Sequence, residues 1–519
     1  MSKKFQIAAV IDIGSKELRL NIAQATKPES ERDIEAVKYL ETLSYPLSLG
    51  RDTFQAGKMS FDKVDKACEV IKNFLHVAKG YGIRDVRTVA TTAMREAANM
   101  DYILDQIKIK TGVSVDVIDH LEEKRHIYRL LTHYGEEFLK ESAIAVYIGT
   151  GTLGVVLFQN GKMPRTWNIR VGSLRMGEMF GQMQEYTREF YKLMEEYLAG
   201  YTYKLRDELP PDIQHFIVSG QEVDVISRLI LNETKEISRP LFEIPRRGFE
   251  SLYDKIKRKT TDRIAIDHNI DVEKAESVLP AACIYQNLLS CTQAKTITAS
   301  RLLPGDAILF EMLHPKRFQA IDKRFARGTI LCAGEMLRRY GANADHGELV
   351  SDFAIMIFDK IKKLHGLGSR DKLLLTAAAL LHDIGEIVNN RDHPEISYQI
   401  VRHSDIVGLT QMEHEIVALI CKYHSHSTPN LSDQCYASLD AGTKVRISKL
   451  SAMLRLADAL DRSHTQKYNR IDVKLTDETL IITISTFANV ALEQWSFTEK
   501  SHFFEEVFGI KAHLRIKKA

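Results

Sequence analysis

An acid followed by a glycine–hydroxyl turn is the first point in this sequence where residue types and spacing suggest chemistry. Asp12, Gly14, Ser15 and Lys16 lie within residues 8–23, AAVIDIGSKELRLNIA. Residues 8–11 are apolar, and Leu18, Leu20 and Ile22 alternate with Glu17, Arg19 and Asn21, which predicts two strands joined by a tight turn. Free N–H groups of such a turn face an anion while the adjacent carboxylate holds Mg²⁺ or its water, so the hairpin can take a phosphate together with its metal. The same layout returns 135 positions later, in residues 143–159, AIAVYIGTGTLGVVLFQ. Ile148, Gly149 and Thr150 fall on Ile13, Gly14 and Ser15, and Leu153 and Val155 fall on Leu18 and Leu20. A repeated strand–turn–strand predicts two similar halves that each present a phosphate loop to a shared cleft. Tyr147 stands where Asp12 stands, so the copies differ at the position that carries the acid.

The elements that must position these loops alternate between strand and helix. Residues 47–57 read as a turn-rich loop, and Ser60 as the N-cap of an amphipathic helix with Val64, Cys68, Ile71, Phe74, Leu75 and Ala78 on one face. Strands are expected at 86–90 and 115–119, a helix at 93–103, and a further helix with Glu122, Glu123 and Arg125 in its first turn. In the second half, residues 216–220 form a strand ending in a glycine turn, and an apolar helix covers 278–289. This alternation predicts an α/β fold with ligand-facing residues at strand ends. From about Lys316 the pattern is helix after helix until Ile471, which puts a domain boundary near 312–318. A hairpin (471–475 and 480–484), a helix near 492–508 and a strand at 512–516 close the chain.

Composition narrows the class. A chain of 519 residues with 44% hydrophobic and 27% charged content reads as a globular protein of several domains. No run is apolar and long enough to span a membrane, and the N-terminus lacks the core of a signal peptide. The six cysteines are scattered without a CxxC pair, which predicts reduced thiols in the cytoplasm instead of disulfides or a zinc site. A net charge of +2 offers no polyanion-binding surface by itself, and no specific nucleic-acid partner is expected.

Four stretches in order, IDIGSKELRL, VRTVATTAMREAAN, VIDHLEEKRHIY and YIGTGTLGVV, resemble the exopolyphosphatase and guanosine pentaphosphate phosphohydrolase (Ppx/GppA) family. LLHDIG at 380–385 and LRLADALDRSH at 454–464 resemble the HD-type domain that follows in its longer members. The resemblance implies a two-lobed α/β unit of actin and sugar-kinase (ribonuclease H-like) type, then an all-helical HD-type domain and a small α+β C-terminal segment. The expected divisions are 1–135, 136–312, 313–468 and 469–519. It also implies Mg²⁺-dependent release of terminal phosphate from inorganic polyphosphate or pppGpp, and a homodimer.

Carried over residue by residue, the resemblance makes Glu123 the group that orients the attacking water, with Lys124 where the family has a small residue. Asp12 becomes the metal anchor. Arg95 and the two loops, Gly14, Ser15 and Lys16 with Gly149, Thr150, Gly151 and Thr152, become the phosphate contacts. The family's second loop, Asp-x-Gly-Gly-Gly-Ser-x-Glu, has Tyr147 and Gly154 at its two acids here, and its third loop is Ser219-Gly220-Gln221. That loss of two carboxylates leaves a binding or regulatory protein as the alternative. A further alternative is a metal phosphohydrolase working through the HD-type domain, with His346, His382, Asp383 and Asp458 as ligands. There the resemblance aligns Leu349 with the upstream histidine and places His346 one turn away, with His393 and His424 as extra ligands. The His424-Ser425-His426 stretch by itself reads as loop surface.

Overall fold

Both expected hairpins form, and they close with the same turn. In the first, β1 (Gln6–Ile13) and β2 (Glu17–Ala25) pair antiparallel with Asp12 opposite Arg19, and Gly14 N–H donates to Glu17 O at 3.0 Å. In the second, β6 (Ala143–Ile148) and β7 (Leu153–Gln159) pair with Tyr147 opposite Gly154, and Gly149 N–H donates to Thr152 O at 2.8 Å. The computed structural model describes residues 6–25, 37–135, 138–149, 151–181, 183, 189–231 and 240–518.

The repeat extends to whole sheets. The first sheet adds β3 (Val37–Pro46), β4 (Arg87–Ala90) and β5 (Asp116–Val117) in the order β3-β2-β1-β4-β5. The second adds β8 (Lys162–Ile169), β9 (His215–Gly220), β10 (Leu241–Pro245) and β11 (Thr296–Ser300) in the order β10-β11-β9-β6-β7-β8. Each sheet has a three-stranded antiparallel meander followed by two parallel strands, and the second carries β10 as an extra antiparallel edge. This is the duplicated α/β arrangement expected from the repeated hairpin.

Burial explains why these segments become strands. Leu18, Leu20 and Ile22 face a core with Ala9 and Ile11, and each such side chain contributes about 1.5–3 kcal/mol on leaving water. The opposite face of β2 is covered as well, so Asn21 is buried and its Nδ2 donates to Asp306 Oδ1 at 2.9 Å. The helix Pro304–Leu313 makes that cover, with Ile308 and Leu309 against Ala23 and Ala25. Every residue of β6 is buried, which accounts for its unbroken apolar run.

Local expectations are corrected at several points. Residues 47–57 are not a loop: Leu49–Ala56 is helical and docks on the first turn, Gly50 N–H donating to Ser15 O at 2.7 Å. Its polar composition hid a helix whose support comes from that contact. Ser60 precedes the helix Phe61–Gly80 but its hydroxyl donates to Asp52 Oδ2 at 2.7 Å and makes no cap bond. The helix expected at 93–103 is two helices, Thr92–Arg95 and Met100–Thr111.

The described chain forms two units, Met1–Phe325 and Ala326–Ala519, the division falling within the helix Pro315–Arg339. The second unit is largely helical. It ends in a sheet of β12 (Ile471–Leu475), β13 (Thr479–Ser485) and β14 (Lys511–Lys517), with β13 and β14 parallel across the helix Ala491–Phe508. No described helix is long and apolar enough to cross a membrane.

Candidate functional site

In the first unit the two glycine turns converge on one recess. Its lining includes Asp12, Gly14 and Ser15 from the first hairpin, Tyr147 and Gly149 from the second, and Glu123 between them. Glu123 is carried in the first turn of the helix His120–Tyr134, launched by Asp119, whose carboxylate accepts from the N–H groups of Leu121 and Glu122 at 2.8 and 2.9 Å. A carboxylate at that end of a helix is stabilised by the macrodipole.

Asp12 is the penultimate residue of β1, half-buried with its Oδ1 fully so, and desolvation pushes its carboxyl from the usual range up to about 7. The Arg19 charge opposes the shift, while the carboxylates of Glu123 and Asp306 add to it. Tyr147, in the place of an acid, donates its hydroxyl to Glu123 Oε1 at 2.6 Å. Burial, with the charge of Glu123, keeps that hydroxyl well above its ordinary titration range, so it remains the donor. Glu123 Oε2 and Asp12 Oδ1 are both buried without a hydrogen-bond partner. Leaving such an oxygen unsatisfied costs roughly 1–3 kcal/mol, more for a charged group. Two of them in one recess make a donor set that fits a hard divalent cation such as Mg²⁺.

Gly154 explains how the helix bearing Glu123 reaches the second hairpin. A Cβ at residue 154 would stand 2.6 Å from both Lys124 Cδ and Tyr128 Oη. Lys124 is itself buried and its ammonium donates to Asn168 Oδ1 at 2.9 Å. The lysine stem therefore fills the volume that a side chain at 154 would need. Gly220 closes the third loop with φ 148, and a Cβ there would lie 2.7 Å from Ile148 O.

The other expected phosphate contacts fare differently. Lys16 turns across to the second lobe, donating to Ser277 Oγ at 2.8 Å and Glu222 Oε1 at 3.3 Å, so its charge is already balanced. Arg95 does not line the recess; its guanidinium donates to Ile118 O at 2.7 Å and Thr92 Oγ1 at 3.2 Å. It braces the residue just before the Asp119 cap and so supports the helix that carries Glu123. Gly151 lies beside Thr92, since a Cβ on it would stand 3.6 Å from Thr92 Cγ2, and Thr152 supplies the turn's acceptor. Thr150 lies outside the described residues.

Glu222, Thr91 and Pro304 of the recess were not read from the sequence. An acid directly after the strand–glycine turn at 220 was the available signal for Glu222. The Leu-Pro-Gly-Asp run at 303–306 was the signal for the cap of the helix Pro304–Leu313, where Asp306 accepts from Leu303 N–H at 2.8 Å and Tyr39 Oη at 2.7 Å.

The four HD-type positions also come together, in the second unit. His346 opens the helix Ala344–Lys360, His382 and Asp383 follow the helix Ser369–Leu381, and Asp458 lies near the end of the helix Ala441–Ala459. His346 Nε2 stands 3.2 Å from His382 Nε2, 3.4 Å from Asp458 Oδ1 and 3.5 Å from Asp383 Oδ2. Lys500, from the helix Ala491–Phe508, is bonded to the other oxygen of Asp458. His424 is not loop surface: it is buried and faces Asp383.

Comparison with known proteins agrees with this layout. Residues 31–314 match the sequence model of the Ppx/GppA phosphatase family, and residues 331–501 match that of Ppx/GppA phosphatase domain III. A guanosine-5'-triphosphate,3'-diphosphate pyrophosphatase of Photobacterium profundum is 20% identical over 490 residues, 92% of this chain and 91% of the relative. Among solved structures, the Ppx/GppA family member of Aquifex aeolicus superposes with a TM-score of 0.51 at 19% identity, covering 60% of this chain and 99% of that one. An exopolyphosphatase of Cytophaga hutchinsonii gives 0.50 at 19% identity, covering 60% and 98%. These structural likenesses establish the shared fold.

Proposed function

From the premise that this chain belongs to the Ppx/GppA phosphatase family, we propose that its recess releases the terminal phosphate of inorganic polyphosphate or pppGpp with Mg²⁺. The observation that carries this reading is the pair of buried, unpartnered carboxylate oxygens, Asp12 Oδ1 and Glu123 Oε2, facing one recess between two glycine turns. Asp12 would hold the cation together with its water shell. Mg²⁺ bound there supplies charge neutralisation for the phosphoryl group in flight. The Gly14 and Gly149 N–H groups close their turns, and other N–H groups of those turns would cradle the phosphate oxygens. Glu123 Oε2 accepts a hydrogen bond from water and aims it at the terminal phosphorus, while Tyr147 holds the other oxygen and so fixes the carboxylate's orientation.

The test is phosphate release from long-chain polyphosphate and from pppGpp, with and without Mg²⁺, for wild type and Glu123→Gln. Mg²⁺-dependent release that drops by about 10²–10⁴-fold in the variant is the expected result. Tight polyphosphate binding without release by wild type would favour the binding-protein alternative, for which the Tyr147–Glu123 bond is the supporting observation.

A further inference from the structure

The cleft holds a third orphaned oxygen, on a residue that the proposed reaction leaves without a task. Gln221 lines the recess with Asp12 and Glu123. Its Oε1 is buried without a hydrogen-bond partner, as Asp12 Oδ1 and Glu123 Oε2 are.

Backbone register brings Gln221 there. β9 runs parallel to β6 with Ser219 beside Tyr147 and Gly220 beside Ile148, so residue 221 leaves the sheet next to the turn at Gly149. Gly220, at φ 148, makes the bend, and the helix Glu222–Leu231 starts directly after Gln221. The side chain then crosses to the other lobe: its Nε2 is 3.8 Å from where a Cβ on Gly14 would stand. Gln221 is thus a second-lobe residue whose amide lies against the first turn, two residues past Asp12.

The other polar groups of the second lobe are engaged. Glu222 Oε1 accepts from Ser173 Oγ at 2.8 Å and from Lys16 Nζ at 3.3 Å. The Tyr147 hydroxyl is bonded to Glu123 Oε1. Among the described second-lobe residues that line the recess, Gln221 is the one left with a buried, unsatisfied side-chain oxygen.

Chemistry decides what can satisfy three such oxygens. An amide oxygen and an ionised carboxylate only accept, so they cannot bond to one another. A proton on Asp12 would serve at most one of the other two. A hard divalent cation takes oxygen from carboxylates and from Gln carbonyls alike. A neutral oxygen also adds a ligand without a third negative charge, in a recess where the Glu123 carboxylate already bears on Asp12.

We infer that Gln221 Oε1 is a ligand of the cleft Mg²⁺, so that the cation joins Asp12 of the first lobe to Gln221 of the second. This rests on the cleft reading given under the proposed function. The amide takes over part of the role of the two carboxylates that Tyr147 and Gly154 replace, and the metal site is complete only where both lobes meet.

Mg²⁺ binding to the full chain, stripped with chelator, is measured by calorimetric titration at about pH 8, above the range in which Asp12 titrates. Wild type, Asp12→Asn, Gln221→Met and Gln221→Glu are compared, with circular dichroism to check that each is folded. Subtracting the Asp12→Asn titration from the others leaves the cleft ion alone. Gln221→Met, of similar size but without the oxygen, is expected to weaken that ion by at least about tenfold. Gln221→Glu keeps the oxygen and adds a charge, and is expected to bind about tenfold more tightly than wild type. If Asp12→Asn loses the ion, undiminished affinity in Gln221→Met or no gain in Gln221→Glu overturns the inference and leaves the cleft reading in place. Equal binding by wild type and Asp12→Asn overturns both. The two Gln221 variants move affinity in opposite directions, so either one decides if the other fails to fold.

Discussion

Across the first hairpin the residues facing each other are Asp12 and Arg19; at the same register across the second they are Tyr147 and Gly154. The backbone around them is the same, down to the glycine N–H bond that closes each turn. The first pair keeps a buried carboxylate beside a guanidinium, and that carboxylate titrates near 7. In the second pair the acid becomes a hydroxyl that holds Glu123, and the missing side chain becomes room for Lys124 and Tyr128. The departures at 124, 147 and 154 are thus one packing arrangement centred on the helix His120–Tyr134. A loop that looks eroded in sequence has been rebuilt around that helix, and in the proposed reading the metal-binding task falls to Asp12 of the first hairpin.

The contrast breaks most readily at Asp12. Its carboxyl is raised, so a proton competes with Mg²⁺ until the pH passes about 7. Mg²⁺ affinity in the cleft should rise about tenfold per pH unit below that point and level off above it. Calorimetric titration between pH 5.5 and 8.5 checks this, and Asp12→Asn should abolish the dependence along with most of the binding. Affinity that stays flat through neutrality in wild type would remove Asp12 from the metal site.

Gly154 tests the rebuilt hairpin. Gly154→Ala places a methyl against Lys124 and Tyr128, both buried, and should destabilise the first unit by about 1–3 kcal/mol. Adding Lys124→Ala should return much of that loss, because the two side chains compete for one volume. Denaturant unfolding of the two single variants and the double variant measures the coupling, and additive losses would show that the sites do not share space.

Tyr147 tests the bond that orients Glu123. Tyr147→Phe removes one donor from a buried carboxylate, at a cost of about 1–3 kcal/mol in stability. Denaturant unfolding of the variant beside wild type measures the loss. Equal stability of the two would mean that the hydroxyl contributes nothing through this bond.

Much of this was legible in the residue pattern, and the reasons differ by region. The hairpins were readable because strand alternation and a glycine turn repeat locally, and because apolar residues on β1, β2, β6 and β7 leave few other folds. The C-terminal hairpin, helix and strand were readable for the same reason. The helix Leu49–Ala56 was not, since its support is the contact of Gly50 with Ser15 and not its own composition. Arg95 and Lys16 were legible as cations near phosphate loops, but not as groups already engaged by Ile118 and Glu222.

Sequence alone determined that two halves would share one topology, and it singled out Asp12, Glu123 and the glycine turns, which line one recess. It also determined that histidines and aspartates would recur through the helical unit. Only the tertiary structure decided which of them meet. It placed Tyr147 on Glu123, passed Lys124 through the space at Gly154, and turned His424 inward to Asp383 from a stretch that reads as surface. The physical reason is that residue type and spacing act within a strand or a helix turn, whereas these contacts join residues dozens of positions apart, whose distances are set by how the elements pack.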